Sequence, residues 1–171
     1  MGSDCRVLQV VGFSNSGKTT LMRKILERCK EELAWNVATI KHHGHRGERL
    51  YDSREAKDSD RHLKAGAIMT VVEGGGDLIL HKQNHVESLE QTIKLLQSLE
   101  ADFILVEGYK RECYPKVVIL KGNEDQHMLS QMENVQIIIT WGRPFEADVP
   151  VFTIGEEEEY VSFIVKRIRS L

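Results

Sequence analysis

Apolar residues in this chain fall into short unbroken runs, separated by polar stretches whose apolar positions recur at helical spacing. Arg6-Val7-Leu8-Gln9-Val10-Val11 reads as a short buried strand, and Lys18 to Glu31 as a helix with Leu21, Ile25 and Leu26 on one face. Val37-Ala38-Thr39-Ile40 is a second strand. Lys41 to Lys64 is polar and charge-dense, irregular at first and helical from about Ser53. Ala67 to Val72 then reads as a strand, Gly74-Gly75-Gly76-Asp77 as a turn and Leu78-Ile79-Leu80 as the return, an antiparallel hairpin. Ser88 to Leu99 carries Leu89, Ile93, Leu96 and Leu99 at helical spacing, with Ser88 as N-cap. Phe103 to Val106, Lys116 to Leu120 and Val135 to Thr140 are three more strands, and Val149 to Ile154 a short last one. Glu156 to Glu159 opens a final helix, its carboxylates read as solvated groups favoured by the helix dipole. Strands alternating with helices predict an α/β fold: a mostly parallel sheet with helices on both faces and an antiparallel hairpin extension.

The link between the first strand and first helix carries the chemistry. Gly12-Phe13-Ser14-Asn15-Ser16-Gly17-Lys18-Thr19 fits the phosphate-cradling pattern G-x-x-x-x-G-K-[ST] completely, in its required strand–loop–helix context. Backbone N–H groups and a helix N-terminus then converge on an anion. Gly12 and Gly17 let the backbone turn and approach a triphosphate. Lys18 supplies an ammonium for the β- and γ-phosphates, the Thr19 hydroxyl can ligate Mg2+, and Thr20 adds a hydroxyl near the α-phosphate. The fold class becomes P-loop NTPase-like, with residues 1–171 expected to form a single nucleotide-binding domain.

Composition narrows the setting. The chain has 171 residues, 41% hydrophobic and 29% charged, with a formal net charge of -3 that offers no bulk attraction to nucleic acid or an acidic membrane. No apolar run reaches transmembrane length and Met1 to Cys5 does not open a signal peptide. Cys5, Cys29 and Cys113 are odd in number and far apart, which suits reduced thiols in the cytoplasm.

A phosphate loop working with Mg2+ needs a carboxylate at the end of a neighbouring buried strand. Asp102-Phe103-Ile104-Leu105-Val106-Glu107-Gly108 delivers Glu107 to the carboxyl edge of the sheet, where it could hold the metal shell or orient water. Asp102, at the opposite end, is out of reach. Thr39-Ile40-Lys41-His42-His43-Gly44-His45 leaves the second strand at that same edge. The three histidines are zinc ligands, solvated loop residues, or part of a switch element contributing Lys41 and His42 near the γ-phosphate. Lys57-Asp58-Ser59-Asp60-Arg61-His62 is either a second ligand cluster, with Asp58 and Ser59 on Mg2+ or phosphate, or a salt-bridged helix start.

Four stretches in this order, Gly12 to Leu21, Thr39 to His42, Lys57-Asp58-Ser59 with Ala65-Gly66-Ala67, and Leu105 to Lys110, resemble the molybdopterin-guanine dinucleotide biosynthesis adapter proteins, the MobB family. The resemblance covers most of residues 6–120. It implies a GTP-binding protein with weak GTPase activity, usually a homodimer, that assists the guanylyltransferase joining GMP to molybdopterin and meets a molybdopterin-bearing protein. On that resemblance Gly12 to Thr20 carry phosphate and Mg2+, Lys18 and Glu107 are the catalytic groups, and Asp58 and the His42 region line the adjoining pocket. The Gly74 hairpin would contribute to a dimer surface. Arg46 stands where the family more often has an acidic residue, and Glu73 to Asp77 is unusually glycine-rich. No N-K-x-D base-reading motif is present, and Thr140-Trp141-Gly142-Arg143 is the expected place for a base.

Two other classes share these residues. A small-molecule kinase would use the same loop, with His42 or Asp58 on the acceptor and Arg46, Arg49, Arg54 and Arg61 as a lid. A zinc metallochaperone would use the histidine cluster. The chain shows no cis arginine finger and no glutamine placed to orient water, so hydrolysis is expected to be slow.

Overall fold

The long apolar strands pair exclusively side by side in one direction. β1 (Arg6–Gly12), β2 (Val37–Lys41), β5 (Phe103–Glu107), β6 (Lys116–Leu120), β7 (Val135–Thr140) and β8 (Val151–Thr153) form a six-stranded sheet in the order β2-β5-β1-β6-β7-β8. Every pairing in it is parallel. The computed structural model describes residues 5–42, 58–83 and 88–171. The chain forms two compact units: residues 1–43 with 89–171, and residues 44–88. The expected helix start near Ser53 and the histidines at 43 and 45 lie outside the described residues.

In the first unit, unbroken apolar strands are the mark of a sheet covered on both faces. On one face α1 (Lys18–Glu32) and α4 (Glu157–Arg169) bury Leu21, Ile25, Cys29, Tyr160, Ile164 and Ile168 against Leu8, Val10, Phe103, Leu105, Ile119 and Ile139. On the other, α3 (Leu89–Ser98) buries Leu89 and Ile93 against Val7, Ile104 and Val106. A 3-10 helix at Asn123–Gln131, absent from the sequence reading, follows β6 and places Met128 among the buried residues. The carboxylates opening α4 are mostly exposed, as expected, and three of them also find partners. Glu157 pairs with Lys24, Glu158 accepts from Arg28 at 2.6 Å, and Glu156 accepts from the Thr153 N–H at 2.6 Å and its hydroxyl at 2.8 Å. They join α4 to α1 and tie down its own start. The last strand is also shorter than its apolar run, because β7 supplies partners only to residues 151–153.

The second unit contains α2 (Asp58–Lys64) and the hairpin of β3 (Met69–Gly74) and β4 (Asp77–Lys82), closed by the two residues Gly75-Gly76. Its register places Val71 opposite Leu80 and Val72 opposite Ile79. Successive pairs point to opposite faces, and all four side chains are exposed. The ribbon is therefore apolar on both sides.

Candidate functional site

Parallel pairing explains why residues far apart in sequence meet at one sheet edge. Val10 is the register partner of Glu107, and Glu107 that of Lys41, so the three adjacent strands β1, β5 and β2 end level with the loop that leaves Gly12. Gly12 lies so close to β6 that a Cβ there would stand 2.6 Å from the Ile119 carbonyl oxygen and 2.7 Å from Ser16 Oγ. Asn15 (φ 57°) and Gly17 (φ 101°) take left-handed conformations, the alternation that turns successive N–H groups towards one side. Gly17 then caps α1 with no side chain over its first turn. The orphan N–H groups of that turn, together with the dipole, suit an anion.

The side chains fill out this cradle. Lys18 folds back and donates to the Phe13 carbonyl at 2.7 Å. Burial pushes its ammonium below the usual lysine range; the Glu107 charge opposes that shift and Lys41 adds to it. The Thr19 hydroxyl donates to Glu107 Oε2 at 3.2 Å, and Lys41 Nζ lies 3.6 Å from the same oxygen. The Glu107 side chain is only 12% exposed. A hydroxyl and a carboxylate at this spacing are hard oxygen donors of the kind Mg2+ takes alongside phosphate. Ser14, Asn15 and Thr20 are exposed around the loop, and Ser16 is buried beneath it.

His42 reaches the edge of this site. Its N–H donates to the Glu107 carbonyl at 3.0 Å, and its ring stands 4.4 Å from that of Tyr109. Asp58 and Ser59 belong to the second unit, where Asp58 accepts from Arg61 at 3.0 Å on an exposed helix start, the ion-paired alternative of the sequence reading. Among the described residues, no group of three or more His, Cys, Asp or Glu is arranged to hold a metal ion.

Two polar residues inside strands escaped the sequence reading. Gln9 is fully buried in β1 and donates through Nε2 to the carbonyls of Gly108 (3.0 Å) and Tyr109 (2.7 Å). Its register partner Lys116 is equally buried and donates to the carbonyls of Glu112 (2.7 Å), Tyr114 (2.9 Å) and Glu133 (2.5 Å). Residues 108–115 cross from β5 to β6 without a helix, so no internal helical bonds satisfy that backbone. The two side chains do so instead, and hold the segment that begins at Glu107. An amide and an ammonium embedded in apolar strands were the available signal, because buried polar groups need partners.

Trp141, at the end of β7, donates its indole N–H to the Ser16 carbonyl at 3.0 Å. The expected base-bearing segment therefore touches the phosphate loop directly.

A parallel sheet whose first strand turns through a glycine loop into a helix, with a carboxylate delivered beside it by the adjacent strand, defines a P-loop-like α/β protein. Residues 7–141 match the family model described as molybdopterin guanine dinucleotide synthesis protein B, and the chain belongs to that MobB family. It is 46% identical over 132 residues to the probable molybdopterin-guanine dinucleotide biosynthesis adapter protein of Bacillus subtilis strain 168, spanning 77% of this chain and 75% of the relative. The adapter protein of Haemophilus influenzae is 28% identical over 165 residues, 96% of this chain and 90% of its own. The crystal structure of Bacillus subtilis MobB superposes with a TM-score of 0.79 at 37% identity, covering 95% of this chain and 97% of that one. The MobB homolog from Bacillus stearothermophilus gives 0.77 at 35% identity, covering 96% and 99%.

Proposed function

We propose that this protein is a GTP-binding adapter of molybdopterin-guanine dinucleotide biosynthesis, acting beside the guanylyltransferase and a molybdopterin-bearing protein, with weak GTPase activity. The observation that carries the reading is the Thr19–Glu107 contact at 3.2 Å beside the uncapped first turn of α1. The N–H groups of residues 13–20 and the Lys18 ammonium receive the phosphates, with Lys18 exchanging the Phe13 carbonyl for a phosphate oxygen. Thr19 and Glu107 are the residues that would hold Mg2+, which supplies charge neutralisation between the β- and γ-phosphates. Lys41 stays within reach of the same carboxylate, and His42, steadied on Tyr109, stands at the rim. Hydrolysis is proposed to be slow, because the sequence carries no recognisable cis arginine finger and no glutamine placed to orient water. The names of its relatives support the pathway.

The protein works as a homodimer, its β3–β4 ribbon covered by a second copy. Support comes from exposed Val71, Val72, Leu78, Ile79 and Leu80 on a two-stranded ribbon, which is marginal in water alone. A cytoplasmic setting suits its three free thiols, and no described helix is long and apolar enough to cross a membrane.

Titration calorimetry of GTP, GDP and ATP with Mg2+, followed by capture of the guanylyltransferase, tests this reading. Guanine preference and capture are expected. An ATP preference with rapid ADP formation from a small acceptor would replace the adapter by a small-molecule kinase.

A further inference from the structure

The geometry points to Trp141 as the platform on which the nucleobase stacks, an inference that rests on nucleotide binding as proposed above. β7 is two strands away from β1 in the sheet order, roughly 10 Å across the sheet at ~4.8 Å per strand. Ser16 and Gly17 sit where the β-phosphate is held, and a base hangs one phosphate and one ribose beyond that point. A ligand laid across the carboxyl edge therefore meets the end of β7. The side chain there is a tryptophan 56% exposed.

An exposed indole alone would mean little. This one is held at two points. Its backbone N–H donates to the Leu120 carbonyl at 3.0 Å and its indole N–H to the Ser16 carbonyl at 3.0 Å. The ring edge is spent on the phosphate loop and its orientation is set, while much of the ring remains open to solvent. Asn123, exposed at the start of the 3-10 helix, lies beside Gly142, the residue that follows Trp141. Such an aromatic plane suits a stacked base. It also explains how a chain without N-K-x-D can hold a base.

The test compares GTP and ATP with inorganic tripolyphosphate, which fills the phosphate loop and has no base. Aromatic–base stacking changes affinity by roughly 5- to 150-fold, so Trp141→Ala should weaken the preferred nucleoside triphosphate within that range. Its tripolyphosphate affinity should stay within about twofold of the parent. Trp141→Phe keeps a ring without the N–H and should retain most of the nucleotide affinity. Nucleotide should quench the parent's tryptophan emission more than tripolyphosphate does, and the quench should vanish in Trp141→Phe, where only Trp35 remains. Equal nucleotide affinity in Trp141→Ala overturns the inference. So does an equal loss of tripolyphosphate and nucleotide, which would make the residue a tether of the loop alone. A parent that prefers ATP, with this pattern intact, keeps the platform and removes the guanine reading; a parent that binds neither probe removes both.

Discussion

At the scale of single residues, the site is organised by one buried carboxylate with three neighbours of different kinds. Glu107 receives the Thr19 hydroxyl and faces Lys41, while its charge bears on Lys18. Lys18 makes a single hydrogen bond, to a loop carbonyl, so on the proposed reading its removal should cost binding far more than stability. Lys18→Ala is expected to weaken triphosphate binding roughly tenfold to hundredfold, the worth of a charge-assisted contact of about 1.5–3 kcal/mol. Calorimetry reads the affinity, and an unchanged thermal midpoint confirms the fold. Glu107→Gln retains an acceptor for Thr19 but loses the charge. It should therefore abolish most of the Mg2+-dependence of nucleotide binding, measured by titrating with and without the metal. That Gly12, Gly17, Lys18 and Thr19 form one loop, and that Glu107 ends a neighbouring strand beside it, was legible from sequence, because the loop pattern has fixed spacing and an unbroken apolar run leads to Glu107. The folded-back position of Lys18 was not, since it depends on the loop's carbonyl finding no better partner.

At the scale of elements, the segment between β5 and β6 differs most from a repeating βαβ unit. Eight residues cross β1 with no helix, and Gln9 and Lys116 supply the bonds that a helix would have made for itself. Lys116→Met should destabilise the first unit by about 2 kcal/mol in urea unfolding, since three carbonyls lose the donor of a buried ammonium. Relief of a buried charge limits that cost. The pH dependence has a definite sign. Burial holds the Lys116 ammonium below the usual lysine range, so the unfolded chain keeps a proton that the native one releases first. Stability therefore rises with pH between that lowered value and the ordinary lysine pKa of about 10.4. Lys116→Met should lack this alkaline gain, which unfolding curves at several pH values will show. The apolar periods revealed β6 and β7 correctly, but pattern reading had no means of assigning a polar residue at the start of an apolar run to a segment behind it.

At the scale of the whole molecule, a mostly covered sheet coexists with a ribbon that is apolar on both faces. Exposed Val72 and Ile79 stand opposite one another on one of these faces. Introducing aspartate at both, Val72→Asp with Ile79→Asp, should convert a dimer to a monomer, because buried unpaired charges are expensive. Sedimentation velocity checks the outcome, and a parent that sediments as a monomer would remove the dimer reading. Phosphate-loop binding should survive in the double variant, since the loop belongs entirely to the first unit.

The sequence by itself determined the α/β class, the parallel strands, the hairpin and the phosphate loop, because each depends on local periodicity or on contiguous residues of fixed chemistry. It also placed Glu107 at the end of a buried strand. Only the tertiary structure decided which strands are neighbours, and hence that Lys41, Glu107 and Thr19 share one oxygen. The 2-5-1-6-7-8 order likewise brings Trp141 to Ser16, across 125 positions of chain. The same order explains the burial of Gln9 and Lys116 under an eight-residue crossing. Such contacts arise from strand order and register, which satisfy backbone hydrogen bonds between distant segments and leave no periodic trace in the segments themselves.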